Sequence, residues 1–318
     1  MTTPQHPIGS GFGAQTTAAE VLDGIDLSGR LALVTGGYSG LGLETTRALA
    51  GAGAEVIVPA RRPDSAREAV ADIDGVTLET LDLGDLDSVG ALAGRILDAE
   101  RPIDFVIDSA GIMACPETRI GHGWEAQFAT NHLGHFALVN RLWPLIAAGR
   151  GRVVAVSSGA HRSTGIRWDD IQFEDDYDKW LAYGQSKTAN VLFAVALDKR
   201  GQDAGVRSFA LHPGGIMTPL QRHLSQAEMR ERGWIDEDGN LIATSFKSPE
   251  QGAATQVWAA TSPQLDGLGG VYCEDCEIAE VDDDPSSTRG VRSHAIDAEQ
   301  AERLWALSAR LTGIDAFG

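Results

Sequence analysis

Short apolar runs alternate with helical patterns along the first two thirds of the chain, and this alternation limits the possible folds more than any other feature. Six runs have the length and apolar character of strands buried on both faces, at residues 31–34, 56–58, 76–81, 103–107, 152–156 and 206–211. Helical spacing predicts helices between them, at residues 41–50, 64–73, 85–99, 124–146 and 181–199. This order is typical of βαβ units. It predicts an α/β fold, with one Rossmann-type, doubly wound parallel sheet and helices on both faces.

The segments outside these units predict a simple domain organisation. We expect a loosely ordered N-terminal arm at residues 1–25 and a single domain at residues 26–318. Residues 219–250 are polar and helix-prone, and they follow the last predicted strand. Ligands of open α/β sheets bind beyond the carboxyl ends of the strands. This segment is therefore predicted to be a C-terminal substrate lid, with an ordinary surface excursion as the alternative. Residues 281–318 are predicted to form a C-terminal extension with a short amphipathic helix.

The charge balance excludes some classes of partner. Lys and Arg number 26 and Asp and Glu 45, so the formal net charge is −19. Such a surface repels phosphate backbones and anionic lipid heads, so we expect neither nucleic acid nor a membrane surface as partner. Three cysteines cannot form a disulfide framework, which favours a reducing compartment. Because no apolar run approaches the length of a membrane span, we expect a soluble cytoplasmic protein.

A glycine-rich segment joins the first predicted strand to the first predicted helix. Glycines permit a tight turn there and let backbone N–H groups approach a pyrophosphate, which then lies at the positive end of the helix. The surrounding βαβ unit makes a dinucleotide site the preferred interpretation, and a glycine-rich turn without a ligand is the alternative. The residues predicted to contact the cofactor in this segment are Gly36, Tyr38, Ser39, Gly40, Leu41 and Gly42.

The end of the second strand indicates which dinucleotide binds. An NAD site usually places a carboxylate there to accept hydrogen bonds from the ribose. Here the strand ends in Ala60, which cannot accept them, and Arg61 follows. Since an arginine can pair with a 2′-phosphate and stack on adenine, NADP is predicted over NAD. The alternative is that Arg61 and Arg62 are solvated surface charges.

One constellation of side chains could perform acid–base chemistry. Tyr183 and Lys187 are four residues apart on one face of a predicted helix. An ammonium group near a phenol, helped by an oxidised nicotinamide, favours the phenolate and is expected to bring the pKa of Tyr183 towards a useful range. Ser158 follows the fifth strand and could orient a carbonyl group, and Asn131 lies in the long helix before it. Taken singly, Tyr183 and Lys187 could be a surface pair, and Ser157 with Ser158 could be part of a turn.

In combination, these residues resemble the short-chain dehydrogenase/reductase family, most of all its retinol-dehydrogenase-like and WW-domain-oxidoreductase-like branch. The branch is indicated by TNHLGHF at 130–136 and AYGQSKTANVLFA at 182–194. The matching residues, in family order, are TGGYSGLG at 35–42, Asp82-Leu83, Asp108-Ser109-Ala110-Gly111, Asn131, Val156-Ser157-Ser158, YGQSK at 183–187, and Pro213-Gly214 through Thr218.

The resemblance implies a parallel sheet of about seven strands and a role for each matching residue. Tyr183 would be the general acid in reduction, Lys187 would bind the nicotinamide ribose, and Ser158, the second Ser of its pair, would orient the carbonyl. Asn131 would hold a water that links Lys187 to solvent. Further cofactor contacts are implied for Asp82, Leu83, Ser109, Ala110, Gly111, Pro213, Gly214, Ile216 and Thr218. The chain departs from the family at Asp108-Ser109, where two asparagines are usual.

Together these observations predict an NADP-dependent oxidoreductase that interconverts an alcohol and an aldehyde or ketone. Apolar residues in the predicted lid, such as Trp234 and Phe246, favour a mostly apolar substrate. Epimerisation or double-bond reduction on the same fold is one alternative, and a non-catalytic NADP-binding regulatory protein is another. The resemblance also implies a homodimer or homotetramer that pairs through the helices at 124–146 and 181–199.

Three further patterns are weighed and given ordinary interpretations. Residues 169–178 carry six carboxylates, and a solvated loop over the rim of the active site is preferred to a metal site. Cys273 and Cys276 have the spacing of half a zinc site, but a second pair of ligands is missing. Two ordinary thiols after a strand are preferred to a redox pair. His132 and His135 are expected to be packing or surface residues. We therefore predict no metal.

Overall fold

A computed structural model describes residues 3–318 and contains one large sheet with helices on both faces. Residues 1 and 2, the start of the predicted arm, lie outside the described residues. The strands are β1 Leu31–Thr35, β2 Glu55–Ala60, β3 Val76–Thr80, β4 Phe105–Asp108, β5 Arg119–Ile120, β6 Trp124–Glu125, β7 Arg152–Val156, β8 Arg207–His212, β9 Val271–Glu274 and β10 Glu277–Ile278. The α-helices are α1 Ala18–Val21, α2 Gly40–Gly51, α3 Pro63–Arg67, α4 Leu86–Asp98, α5 Ala126–Phe128, α6 Gly134–Gly149, α7 Lys179–Gly201, α8 Gln226–Glu231, α9 Pro249–Thr261 and α10 Ala298–Thr312.

The order of strands confirms the predicted fold class and adds one strand to the predicted count. The large sheet has the order β10-β9-β8-β7-β4-β1-β2-β3, and all its pairs are parallel except β9 with β10. The seven predicted parallel strands are therefore present, and the eighth is a short antiparallel edge. The order of strands reverses between β1 and β4, which is the position where an open α/β sheet forms its binding crevice.

Two hydrophobic cores hold the helices against the sheet. On one face, α2 and α9 pack against the sheet and α1 packs on them; on the other face, α4, α6 and α7 pack against the sheet and α10 packs on α7. The interior strands read as continuous apolar runs because both of their faces are covered. The resemblance implies a seventh parallel strand without giving its bounds, and the structure places it at β9, after the predicted lid. The helix α9 before it was not predicted from the sequence. Residues 249–278 therefore complete the sheet.

The long predicted helix at 124–146 is interrupted in the structure. Trp124 and Glu125 form β6, and helix then runs through α5, a π-helical turn at Ala129–Leu133, and α6. A π-helical turn inserts one extra residue per turn and is often found at functional sites. Asn131 lies in this turn, so the irregularity places the side chain that the sequence predicts to be catalytic.

The N-terminal arm is fixed to the edge of the sheet, which differs from the loosely ordered arm expected. Gln5 donates from Nε2 to the Tyr272 and Ala279 carbonyls at 2.7 and 2.6 Å and accepts from the Tyr272 N–H at 2.9 Å. The Glu277 carboxylate accepts from the N–H groups of residues 8–10 at 2.8 Å each. These bonds cover groups near a sheet edge that would otherwise be open to another chain.

The C-terminal helix covers the helices that the sequence suggested as a dimer surface. Trp305 of α10 stacks on Phe193 of α7 at 5.9 Å and meets Phe136 of α6 edge-on at 4.8 Å between ring centroids. Between residues 182 and 198 of α7, every residue except Val195 is buried within the chain itself. Any pairing through α7 would have to displace α10. No helix in residues 3–318 is long and apolar enough to cross a membrane.

The close contact between α6 and the loop after β3 generates a prediction. A Cβ added at Gly134 would lie 2.2 Å from the Leu83 carbonyl oxygen, which is a backbone atom and cannot move aside freely. Gly134→Ala should therefore destabilise the protein by about 1–3 kcal/mol. Gly94→Ala is the matched control, since a Cβ there meets no atom within 4 Å, and alanine in a helix should add about 0.5–1 kcal/mol. Chemical denaturation measures both, and equal effects would contradict the close-packing argument.

Candidate active site

A cavity of about 1300 Å³ opens at the carboxyl ends of the central strands. The turns after β1, β2, β4, β7 and β8 all contribute to its wall. Every residue predicted to contact the cofactor lines this cavity, as do Ser158, Tyr183 and Lys187. The structure thus brings together residues that are up to about 180 positions apart in the sequence.

The glycine-rich turn has the shape that a dinucleotide needs. Gly36 has a φ of +70°, and a Cβ on it would lie 3.0 Å from the Cα of Ala110. A Cβ on Gly42 would lie 2.3 Å from the Gly36 carbonyl oxygen. Both positions require glycine, and α2 begins at Gly40 with its N-terminus at the cavity. This cradle fits a pyrophosphate at a helix N-terminus.

Two arginines follow β2 at the same end of the cavity. Arg61 and Arg62 are exposed and line the cavity, and within residues 3–318 neither has a carboxylate within 4 Å. Asp82, by contrast, accepts from the Gly84 N–H at 2.9 Å and shapes the turn after β3. The pair of unpaired cations fits a cofactor with an extra phosphate.

Tyr183 lies buried between the Ser158 side chain and Trp180, its neighbour on α7. Burial raises the pKa of Tyr183 to about 12, and the contact with the Ser158 side chain acts in the opposite direction. Burial is the largest effect that the described residues have on this pKa, so the phenol is protonated at neutral pH. The lowering of the Tyr183 pKa by Lys187 together with an oxidised nicotinamide stays a prediction. A neutral phenol is the form that can donate a proton.

Lys187 is buried and is held by the backbone of the sheet. Its Nζ donates to the Val156 carbonyl at 2.9 Å and lies 5.6 Å from the centroid of the Tyr183 ring. Burial lowers the Lys187 pKa to about 8. The carbonyl that it contacts is the last of β7, directly before Ser157 and Ser158. The position of the ammonium group is therefore fixed relative to the predicted carbonyl-binding serine.

Asn131 lies behind the cavity wall and does not line it. Its Oδ1 accepts from the Ile112 N–H at 2.9 Å, and its Nδ2 donates to the Ile112 carbonyl at 3.0 Å and to Ser186 Oγ at 2.9 Å. These bonds hold the segment after Gly111 against α7. A Cβ on Gly111 would lie 3.1 Å from Asn131 Oδ1 and 3.7 Å from Lys187 Nζ, so the two side chains meet beside this glycine.

A chain of hydrogen bonds that the sequence did not predict joins the end of β1 and the segment after β4 to Asn131. The Ala110 N–H donates to Thr35 Oγ1 at 3.0 Å, and His135 contacts Thr35 Oγ1 through Nε2 at 2.9 Å and the Asn131 carbonyl through Nδ1 at 2.9 Å. Because a carbonyl only accepts, Nδ1 carries the proton and Nε2 accepts from the Thr35 hydroxyl. The available signal was the spacing of four residues between Asn131 and His135, which places them on one helical face.

Asp108 stands where the family usually has an asparagine, and the structure shows what surrounds it. It is fully buried, and neither carboxyl oxygen has a hydrogen-bond partner among residues 3–318. Burial raises its pKa well above the usual value, which favours the neutral carboxyl. His135 Nε2 lies 3.9 Å away. Burial also lowers the pKa of His135, to about 4, so burial favours the neutral form of both groups beside Thr35, the last residue of β1.

Two of the secondary expectations are changed by the structure. The acidic segment at 169–178 does not line the cavity. Asp170 in it pairs with Arg167 at 3.1 Å, and Asp178 caps α7. Cys273 lies within β9 instead of after a strand, and both it and Cys276 are buried thiols whose pKa values are raised by burial.

Apolar residues of the predicted lid form one wall of the cavity. Leu220, Trp234 and Phe246 line it, whereas Leu241 is exposed on the outside. Sequence reasoning missed Arg222 and Arg232, which also line this part of the cavity, because nothing in a polar segment distinguishes a cavity-facing arginine from a solvated one.

Comparison with known proteins agrees with this geometry. The short chain dehydrogenase family model matches residues 30–229. A "Probable oxidoreductase" of Streptomyces lividans is 47% identical over 295 residues, which are 90% of this chain and 98% of that protein. Mouse retinol dehydrogenase 12 is 35% identical, over 91% of this chain and 88% of its own. A solved structure of an uncharacterised protein from Mycobacterium paratuberculosis has a TM-score of 0.72 and 34% identity, over 96% of this chain and 99% of that one.

The chain therefore belongs to the short-chain dehydrogenase/reductase family, and the predicted membership is confirmed. The similarity to retinol dehydrogenase 12 also supports the predicted branch. Oxidoreductase chemistry with a nicotinamide cofactor is the activity that defines this family.

The buried histidines of the site predict how stability depends on pH. Burial lowers the pKa of four of them from 6.5 to about 3 or 4, namely His132, His135, His161 and His212. Below pH 6.5 the unfolded chain binds protons that the folded chain does not, so each such histidine lowers the free energy of unfolding as the pH falls. Buried carboxyls with raised pKa values act in the opposite sense, and comparison with a variant cancels their effect.

His132→Gln should remove one of these contributions. We expect the slope of unfolding free energy against pH, measured by chemical denaturation between about pH 4.5 and 6.5, to fall by up to about 1.4 kcal/mol per pH unit relative to wild type. His122→Gln is the control, because His122 is exposed. An unchanged slope in His132→Gln would show that this ring titrates normally in the folded protein.

Proposed function

We propose that this protein is an NADP(H)-dependent reductase and dehydrogenase that interconverts a carbonyl compound and its alcohol. The observation that carries the proposal is the arrangement of Ser158, Tyr183 and Lys187 in one cavity with a glycine cradle. Reduction of a carbonyl needs a hydride and a proton, and the bound nicotinamide cofactor supplies the hydride. The remaining steps depend on the chain's own side chains.

The residues that would hold the cofactor follow the cavity from end to end. Arg61 would pair with the 2′-phosphate, and the segment Gly36–Gly42 would hold the pyrophosphate. Ser109, Ala110 and Gly111 would contact the adenosine side, and Pro213 through Thr218 the nicotinamide end. His212 holds the segment from Pro213 through Thr218 in place, since its Nδ1 accepts from the Gly159 N–H at 3.1 Å and the Gly214 N–H at 3.4 Å.

Proton transfer follows from the electrostatics of the buried site. Tyr183 keeps its proton at neutral pH because burial disfavours the phenolate, so it can donate to the carbonyl oxygen as negative charge develops there. Ser158 Oγ would donate a second hydrogen bond to the same oxygen and orient the carbonyl. The Lys187 ammonium lies near the Tyr183 ring and would stabilise the phenolate that remains. Oxidation of an alcohol would use the same groups in reverse.

Removal of the Tyr183 hydroxyl tests this mechanism. Tyr183→Phe should lower kcat for carbonyl reduction by at least about 100-fold, because the proton donor is lost, and should leave the affinity for NADPH unchanged. NADPH oxidation across a panel of aldehydes and ketones measures the first effect, and calorimetric titration measures the second. Tyr177→Phe, which removes a hydroxyl outside the cavity, is the matched control. Wild-type turnover in Tyr183→Phe on an active substrate would refute the mechanism, and NADPH binding without turnover on any substrate would favour a regulatory protein.

Cofactor preference has its own test at the end of β2. Arg61→Ala should raise the KM for NADPH by roughly tenfold or more, because a charge-assisted bond to the 2′-phosphate is lost, and should change the KM for NADH little. Arg67→Ala is the control, since Arg67 is close in sequence, pairs with Asp64 at 3.2 Å and does not line the cavity. Equal effects of Arg61→Ala on both cofactors would contradict the assignment.

The other expectations from the sequence remain predictions of this proposal. They are a mostly apolar substrate under a lid at 219–250, a cytoplasmic location, the absence of nucleic acid or membrane partners, and a homodimer or homotetramer. The covered faces of α6 and α7 mean that any such oligomer would use a different surface or a displaced α10.

A further inference from the structure

The charges that line the cavity are distributed unevenly. Among the described residues, its only carboxylates are Asp82 and Asp85, which lie at the end proposed for adenosine. The other end, around Tyr183, carries Arg222 and Arg232 at its mouth. This end is therefore positive and apolar, although the protein as a whole has a net charge of −19.

Arg232 is held over the aromatic wall next to the proposed proton donor. Its Cζ lies 3.7 Å from the ring centroid of Trp180 and 5.7 Å from that of Trp234. Trp180 in turn meets Tyr183 edge-on, with 6.5 Å between ring centroids. These distances together place the guanidinium carbon within about 10 Å of the Tyr183 ring centroid. An apolar body of the substrate would lie along the tryptophans that separate the two groups.

Arg222 lies on the 3₁₀ turn at Pro219–His223, on the cavity side of the lid. Its Nη1 donates to the Pro219 carbonyl at 3.2 Å, which leaves its other N–H groups available. Both arginines are exposed to the open cavity, and no carboxylate of residues 3–318 lies within 4 Å of either.

The lack of carboxylate partners separates these two arginines from most others in the chain. Among residues 3–318, twelve arginines form an ion pair with a carboxylate, as expected for a chain so rich in acidic residues. The nearby acidic residue Glu228 is engaged by Lys179, and Arg230 on the same helix bonds the carbonyls of residues 236 and 237. Local acidic groups thus leave Arg222 and Arg232 free to meet an anion.

We propose that the substrate is an amphipathic carbonyl compound, with an apolar body and a carboxylate that Arg232 and Arg222 bind at the mouth of the cavity. The carbonyl group would lie at Ser158 and Tyr183, and the apolar body would contact Trp180, Trp234 and Phe246. A guanidinium group binds a carboxylate through two parallel hydrogen bonds, and stacking on an aromatic ring orients the guanidinium plane. The assignment of the carbonyl end rests on the proposed reductase function, whereas the assignment of the anion end does not.

The test compares a carboxylate probe with its neutral analogue. The probes are a medium-chain fatty acid with an aldehyde at its far end and the methyl ester of the same compound. In the wild-type protein with NADPH, we expect kcat/KM for the acid to exceed that for the ester by about tenfold or more, and this preference to weaken as salt is raised. Arg232→Gln should remove most of the preference, mainly through KM, and Arg222→Gln should reduce it.

Arg303→Gln is the matched control variant. Arg303 stacks on Trp168 with 4.0 Å between Cζ and the ring centroid, and it does not line the cavity. The Arg303→Gln variant therefore loses one positive charge and one stacking contact on a tryptophan, as Arg232→Gln does, but at a distance from the cavity. The preference for the acid should be unchanged in this variant. A preference that survives in the Arg222→Gln, Arg232→Gln double variant, or its absence from the wild type, would overturn the proposal.

Calorimetric binding of both probes to the protein saturated with NADP⁺ separates this inference from the proposed function. Arginine-dependent preference for the acid in binding, without oxidation of NADPH by any carbonyl compound, would refute the reductase proposal and leave the anion site established. Turnover of the ester and the acid at equal rates, with equal binding, would refute the anion site and leave the reductase proposal intact.

Discussion

The carboxyl ends of parallel strands leave backbone groups that the sheet itself cannot pair, and this constraint shapes the whole site. At the end of β7, the Val156 carbonyl accepts from Lys187 Nζ at 2.9 Å and from Asn190 Nδ2 at 3.0 Å. Both donors lie on α7, so the sheet edge and the helix fix each other. A buried ammonium group is costly unless it is hydrogen-bonded. The same bond therefore satisfies the sheet and holds the charge that the proposed mechanism needs.

A second set of hydrogen bonds ties the end of β1 and the segment after β4 to the helix α6 and the π-helical turn before it. Thr35 ends β1, accepts from the Ala110 N–H and donates to His135, and His135 donates to the Asn131 carbonyl. These hydrogen bonds run in one direction when His135 is neutral, and burial lowers its pKa to about 4 and so keeps it neutral at neutral pH. The π-helical turn is part of the same arrangement, because it carries Asn131. The end of β1, the segment after β4 and the start of α6 are consequently held together by hydrogen bonds.

The parts of the site that the sequence revealed are those in which chemistry and local geometry coincide. Gly36 and Gly42 are required by turn geometry, and Tyr183 and Lys187 by helical spacing, so each could be found without a structure. Arg232 could not, because only the fold places it on Trp180 and gives the lid an inner face. The π-helical turn at Ala129–Leu133 was missed for another reason: periodicity alone does not distinguish a π-helical turn from an α-helical one. The helix α9 escaped because residues 252–260 are all buried, polar ones included, so its sequence does not show one apolar and one polar face.

The net charge of −19 takes on a different meaning when the cavity is considered separately from the surface. The acidic segment at 169–178, which the sequence placed at the rim of the site, does not line the cavity: Asp170 pairs with Arg167, Asp178 caps α7, and its other carboxylates are exposed. At one end of the cavity stand Arg61 and Arg62, and at the other Arg222 and Arg232, with the buried Lys187 between them. A surface that repels anions in general thus surrounds a cleft that attracts them. Because low-dielectric walls focus such a field, the contrast itself would help to select ligands that are anionic at both ends of the cavity.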